Sequence, residues 1–240
     1  MEEKTDVQNT KDRIVTAALA LFSEKGYGAV SVRDIAGKAG LRESSLYYHF
    51  KNKQDIFDTI VQYCFKKAEE YFRTHSLPFA EGDDLSMYQG VELSRLEELL
   101  FSTFGYFFDD PWNVQFRKLL LVNQYENEEA KKIYRSLYRD YPLRFQSKLF
   151  AALMELGEFK KADPKTTAME FYGPVFLLFH TCDSLEEARE AFEKHIRQFA
   201  SLYRIPAKKQ MKHQMEREEQ TEEIRIEKTT ERGKYGEGKL

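Results

Sequence analysis

Apolar residues recur along this chain at intervals of three and four, the spacing of one-sided helices, and no stretch shows the period-two alternation of a half-buried strand. Ile14, Ala17, Ala18, Leu21 and Phe22 set the first stripe. They predict a helix over 11–24 after a polar arm at 1–9, with Gly26 and Gly28 ending it. Ser31 is a natural N-cap with Asp34 as its N3 acid, so a second helix starts there and packs Val32, Ile35, Ala36 and Ala39. Gly37 inside it costs about 1 kcal/mol relative to alanine, so this helix leans on packing. Gly40 supplies a left-handed C′ position, and the chain turns within three or four residues. A third helix over 43–50 buries Leu46 and Phe50 and leaves Arg42, Glu43, Ser44, Ser45, Tyr47, Tyr48 and His49 pointing elsewhere.

From Lys53 a long amphipathic pattern runs through Ile56, Phe57, Ile60, Cys64, Phe65, Ala68 and Phe72 to a proline-, glycine- and acid-containing loop at 78–84. Helical periodicity resumes over 91–108 and is expected to stop at Asp109-Asp110-Pro111. Further helices are predicted over 113–124, 127–157 with a break or kink at Pro142, and 164–181. Ser184 and Glu187 form a capping box for a last helix to Tyr203. The fold class is all-α. Residues 206–240 are highly charged and poor in aromatics, predicting a tail that stays out of the core as solvated helix or disordered chain.

Two helices meeting across a short glycine turn form a helix-turn-helix, whose second helix fits the DNA major groove. Charge supports this locally. The chain carries −3 overall, but between Arg33 and Lys53 five basic residues face two acids. Over 11–57, with AALALFSEKGYGAVSVRDIAGKAGLRESSLYYHFKNKQDIF at its centre, the sequence resembles the DNA-binding domain of the tetracycline-repressor (TetR) family. The residues carrying the likeness are Phe22 to Tyr27, Ile35-Ala36, Ala39-Gly40-Leu41 and Leu46 to Phe50 followed by Lys51 and Lys53.

The resemblance implies a homodimeric transcription regulator, usually a repressor, on double-stranded DNA with a pseudo-palindromic operator. It implies release when a small-molecule effector enters the C-terminal domain. Carried over by position, it makes Ser31, Arg33, Tyr47, His49 and Lys53 phosphate contacts, with Tyr48 beside them on the DNA face. Arg42, Glu43, Ser44 and Ser45 then face base edges. Glu43 departs from the lysine or small polar residue common there; it cannot pair with phosphate but can accept from cytosine N4. The domains expected are a reader at 1–55, an effector-binding and dimerisation unit at 56–205 and the tail at 206–240.

The second unit is rich in aromatic residues. Phe104, Phe108, Trp112, Phe116, Tyr125, Phe145, Tyr172 and Phe176 are candidates to line an effector pocket, though large rings at helical spacing first serve packing. The last two helices carry more apolar surface than a thin domain covers alone, making Phe171, Val175, Phe179, Phe192, Ile196 and Phe199 candidates for a dimer interface. Cys64 and Cys182 have no metal or disulfide spacing. With no apolar run near the ~20 residues of a membrane span and an acidic start at Glu2-Glu3, a cytoplasmic protein with no membrane partner is expected. No cofactor or metal is implied. Ser44-Ser45 lacks the G-x-S-x-G setting of a nucleophile, and no glycine-rich phosphate loop occurs, so an enzyme is not expected. The alternative is a helical protein-interaction scaffold in which DNA binding is secondary or lost.

Overall fold

The computed structural model describes residues 2–78 and 85–206, residues 2–8 by backbone alone. Among these residues the all-α expectation holds: ten α-helices form, and the only β pairing is an isolated antiparallel bridge between Phe159 and Arg204. The helices are α1 (Glu2–Lys25), α2 (Val32–Lys38), α3 (Glu43–His49), α4 (Lys53–Thr74), α5 (Leu93–Asp109), α6 (Pro111–Asn123), α7 (Glu128–Arg135), α8 (Tyr141–Glu155), α9 (Pro164–Thr181) and α10 (Leu185–Tyr203). The segment expected as a polar arm is helical from Glu2, since nothing in EEKTDVQNTK breaks a helix. The tail expected at 206–240 lies, from residue 207, outside the described residues.

Short polar side chains set the helix starts. Ser31 and Asp34 make the full reciprocal capping box of α2, and Asn52 Oδ1 accepts the Asp55 amide at 2.9 Å to open α4. Asp110 and Asp163 do the same for α6 and α9, each followed by proline at the first helical position. Asp110-Pro111 therefore starts a helix as well as ending one. Pro142 sits in the first turn of α8, and the break predicted there begins earlier, as a π-turn over Ser136–Asp140. At Ser184 the box is only half reciprocal, for Glu187 accepts from the Asp183 amide instead.

Two hydrophobic clusters hold these helices together. One packs α1, α2, α3 and the first half of α4 with Phe116, Leu119 and Leu120 of α6 and with Ala130, Tyr134 and Tyr138. The other gathers Phe72, Phe104, Phe108, Phe150, Phe171 and Phe192, among others, from α4, α5, α8, α9 and α10. The first core thus continues past residue 55 and includes α6. That helix belongs to both halves of the molecule.

Candidate nucleic-acid interface and internal cavity

The tight connection between α2 and α3 is built as its sequence requires. Gly40 has φ +67°, the left-handed region, and the Leu41 amide donates back to the Ala36 carbonyl at 2.9 Å. Arg13 reaches from α1 to donate to the Ala39 carbonyl at 2.6 Å, satisfying an acceptor that the end of α2 leaves open. Leu46 and Phe50 are buried beneath α3, and Lys11 lies over the Phe50 ring at 5.5 Å. α3 is held by its apolar side alone.

The opposite side is open. Arg42, Glu43, Ser44, Tyr47 and Tyr48 are exposed, Tyr48 by 79 %, while Ser45 and His49 are half-buried and the Tyr48 and His49 rings meet edge to face at 5.1 Å. Arg42 precedes α3 with no side-chain cap bond, so its guanidinium is not spent on the helix end. Arg33, Lys38 and Lys51 are exposed nearby. Most of the residues singled out for DNA contact are thus exposed or half-buried.

Two of them are engaged elsewhere. Lys53, expected on phosphate, turns inward: its ammonium donates to the Tyr27 carbonyl at 2.8 Å and the Val30 carbonyl at 2.9 Å and stands over the Tyr27 ring at 4.3 Å. Burial lowers its pKa from the ordinary lysine value. Lys53 staples α4 to the turn between α1 and α2. The Ser31 hydroxyl donates to Asp34 at 2.6 Å and accepts the Asp34 amide at 3.1 Å, a closed cap whose hydrogen bonds also lower the Asp34 pKa.

A cavity of about 170 Å³ lies among α4, α5, α6, α8, α9 and α10. Of the expected pocket residues, Phe104, Phe116, Phe145 and Tyr172 line it. The other four do not. Phe108 is packed against Phe179 and Arg117, Trp112 against Tyr63 with Lys67 over its ring, and Phe176 against His180 and Tyr172. Tyr125, between α6 and α7, is 88 % exposed. The six residues expected at a dimer interface are likewise corrected. Phe171, Val175, Phe179, Phe192, Ile196 and Phe199 are all buried within the single chain, because that stripe of α9 and α10 faces α5, α8 and the other of the pair. What α9 and α10 expose instead includes Met169 (61 %), Leu177 (59 %) and Leu202.

Buried polar residues went unread in the sequence. Asn123, at the end of α6, accepts the Tyr27 amide at 2.6 Å while its Nδ2 donates to the Leu119 carbonyl at 2.6 Å. Nearer the surface, Gln54 of α4 donates to Glu129 of α7 at 2.9 Å. Arg117 is buried, donating to the Phe107 carbonyl at 2.9 Å with Phe108 and Phe179 rings beside it; burial lowers its pKa. His180 donates from Nδ1 to the Phe176 carbonyl at 2.6 Å, so Nε2 is the acceptor for the Tyr134 hydroxyl at 2.5 Å. Burial and the Arg117 charge depress the His180 pKa against that carbonyl bond, keeping the ring neutral. A polar residue standing at the helical spacing of an apolar stripe, as Asn123 does four after Leu119 and Gln146 three before Leu149, was the available signal.

The family model of the tetR bacterial regulatory proteins matches residues 14–60. The biofilm operon icaADBC HTH-type negative transcriptional regulator IcaR of Staphylococcus aureus is 46% identical over 55 residues, 23% of this chain and 30% of that protein. This chain therefore spans less than a third of the curated relative it matches. A putative TetR-family transcriptional regulator from Mesorhizobium loti superposes with TM-score 0.58 at 18% identity, over 83% of this chain and 98% of that one. SmeT, the repressor of the Stenotrophomonas maltophilia multidrug efflux pump SmeDEF, superposes with TM-score 0.55 at 21% identity over 84% and 94%, and a SmeT–triclosan complex with TM-score 0.54 at 19% over 83% and 93%. At such identities the likeness is one of fold. These relatives are regulators rather than enzymes, as expected from the sequence, and among the described residues no helix is long and apolar enough to cross a membrane. Residues 14–60 thus carry the domain of the tetR family of bacterial regulatory proteins, and the described fold is shared with solved structures of that family.

Proposed function

We propose that the chain is a sequence-specific DNA-binding repressor, homodimeric and released from its operator by a small molecule, acting in the cytoplasm. The observation that carries this is the surface of α3: its apolar side is locked into the first core while Arg42, Glu43, Ser44, Tyr47 and Tyr48 stand in solvent. Arg33, Tyr47 and His49 hold backbone phosphates, with Tyr48 beside them; Arg42, Glu43, Ser44 and Ser45 read base edges. Lys53 and the Ser31 hydroxyl support the reader from behind. Residues 1–55 do the reading, and residues 56–205 bind effector and pair the subunits.

A second copy would pack on the outward side of α9 and α10, where Met169, Gly173, Pro174, Leu177 and Leu202 are exposed. An isologous contact of this kind sets two reading helices about 34–36 Å apart, one DNA turn. The cavity is the effector site; that SmeT is solved with triclosan supports this reading by analogy of fold. Fluorescence anisotropy on duplexes chosen from a random pool tests the proposal. Arg33→Ala should weaken binding to every sequence and reduce the salt slope by about 1, whereas Arg42→Ala should relax preference at one or two base pairs at a cost of about 1–3 kcal/mol. A chain that binds no duplex at low salt would be an interaction scaffold instead.

A further inference from the structure

The cavity wall is mostly hydrocarbon and aromatic ring, supplied by residues such as Phe72, Phe104, Phe116, Phe150 and Leu153. Gln146 of α8 interrupts it. This residue is only 7 % exposed, and its Oε1 is fully buried with no hydrogen-bond partner among the described residues. Gln146 lines the cavity, and an unpaired buried amide oxygen is costly and rare in native proteins, so a rotation of its carboxamide toward the cavity to meet a ligand's donor would be favoured.

The charges around this cavity are already engaged. Glu158 accepts the Gly90 amide through both oxygens at 2.9 Å, and Arg204 donates to the Val91 carbonyl. Both hold the 90–91 segment at one end of the wall. Arg117 lies beyond it, bonded to the Phe107 carbonyl beside the Phe108 and Phe179 rings. Among the phenols of the wall, that of Tyr88 is pushed up to about 12 by burial, so it too is uncharged near neutral pH. An ionic ligand would have to draw Glu158 or Arg204 away from those backbone hydrogen bonds or carry its charge into the apolar part of the space, and either is expensive.

We propose that the cavity takes a neutral, largely apolar small molecule bearing one hydroxyl, held by hydrogen bonding to the Gln146 carboxamide while the rings enclose its hydrocarbon. A hydroxyl both donates and accepts, so it serves either end of the carboxamide. The inference rests on the reading of this cavity as the effector site and adds the chemistry of what enters it.

The test uses the full chain and four probes on one hydrocarbon frame: 4-butylbenzyl alcohol, its methyl ether, 4-butylbenzoate and 4-butylbenzylammonium, titrated calorimetrically at pH 7.5. The alcohol should bind at least about tenfold more tightly than each of the others, the worth of one buried hydrogen bond or more. Gln146→Leu should bring alcohol and ether to within about twofold of each other while the ether still binds. Gln146→Met, which keeps the side chain's length, serves the same comparison if the leucine variant does not fold. Equal binding of alcohol and ether by the natural chain, benzoate or ammonium binding as tightly as the alcohol, a preference unchanged in the variant, or binding of none of the four would each overturn the proposal. Operator affinity with and without the alcohol separates the two readings. If the alcohol binds with the expected preference and leaves DNA affinity unchanged, the ligand class stands and the effector role fails.

Discussion

Asn123 of α6, the helix that lines the cavity, grips the backbone of the turn between α1 and α2, and Asn123→Ala measures what that grip does. Its Oδ1 is the acceptor for the Tyr27 amide at 2.6 Å, in the turn between α1 and α2. Phe116, two turns earlier on α6, lines the cavity; seven residues at 1.5 Å each place the two side chains' backbones about 10 Å apart along one rigid element. The alanine leaves the partly buried Tyr27 N–H without its partner, a loss of about 1–3 kcal/mol. At about 2–4 °C per kcal/mol for a chain of this length, the thermal midpoint should fall by about 2–12 °C. If α6 carries the signal, the ratio of operator affinities without and with a cavity ligand should shrink toward one. Ratios of about 5–150 are usual for coupled sites, so the collapse would be plain in an anisotropy titration. A variant that loses stability but keeps the full ratio would refute transmission through this contact and leave α4 as the path.

Other outcomes follow from single contacts. Lys53→Ala removes two hydrogen bonds to the Tyr27 and Val30 carbonyls, so the urea midpoint should fall and DNA binding should weaken for all sequences alike; an unchanged midpoint would return Lys53 to the phosphate backbone. Gly40→Ala forces a side chain into φ +67° with Arg13 Nη2 3.3 Å from the new Cβ, and should cost at least about 1–2 kcal/mol by denaturant unfolding. His180 is held neutral, its pKa below the ordinary 6.5; the unfolded chain therefore binds the extra proton first, and stability present above about pH 6.5 is lost as pH falls. The midpoint's decline between pH 7.5 and 5.5 should be shallower in His180→Gln. An identical slope in the two proteins would remove His180 as its source.

Local patterns announced the helices because capping and turning are settled by neighbours in sequence. Ser31 with Asp34, Gly40, and the span 164–181 all stand where their residue types place them. Asp110-Pro111 was legible as punctuation but not as a start, since proline suits both the residue after one helix and the first position of the next. The exposed face of α3 could be read for the same local reason. Lys53 could not, for its two acceptors lie 23 and 26 residues back and only the fold brings them near. The stripe from Phe171 to Phe199 announced a buried face without saying what covers it, and the covering turned out to be this chain's own helices. Among the aromatics, periodicity separated inside from outside but not void from contact: Phe108 and Phe116 are equally buried, and only one borders the cavity.

That α6 sits inside the reader's core bears on how such regulators can be recombined. A chimera joined at residue 55, with the first segment borrowed from a relative, would set a foreign α1 surface against Phe116, Leu119 and Leu120, and a foreign turn against Asn123. On the proposed reading of α3 as the helix that meets DNA, changing operator choice by transplant would therefore need a graft in two pieces, the first sixty residues and the matching side of α6, whereas substitutions confined to the open side of α3 would exchange one recognition sequence for another without disturbing either core.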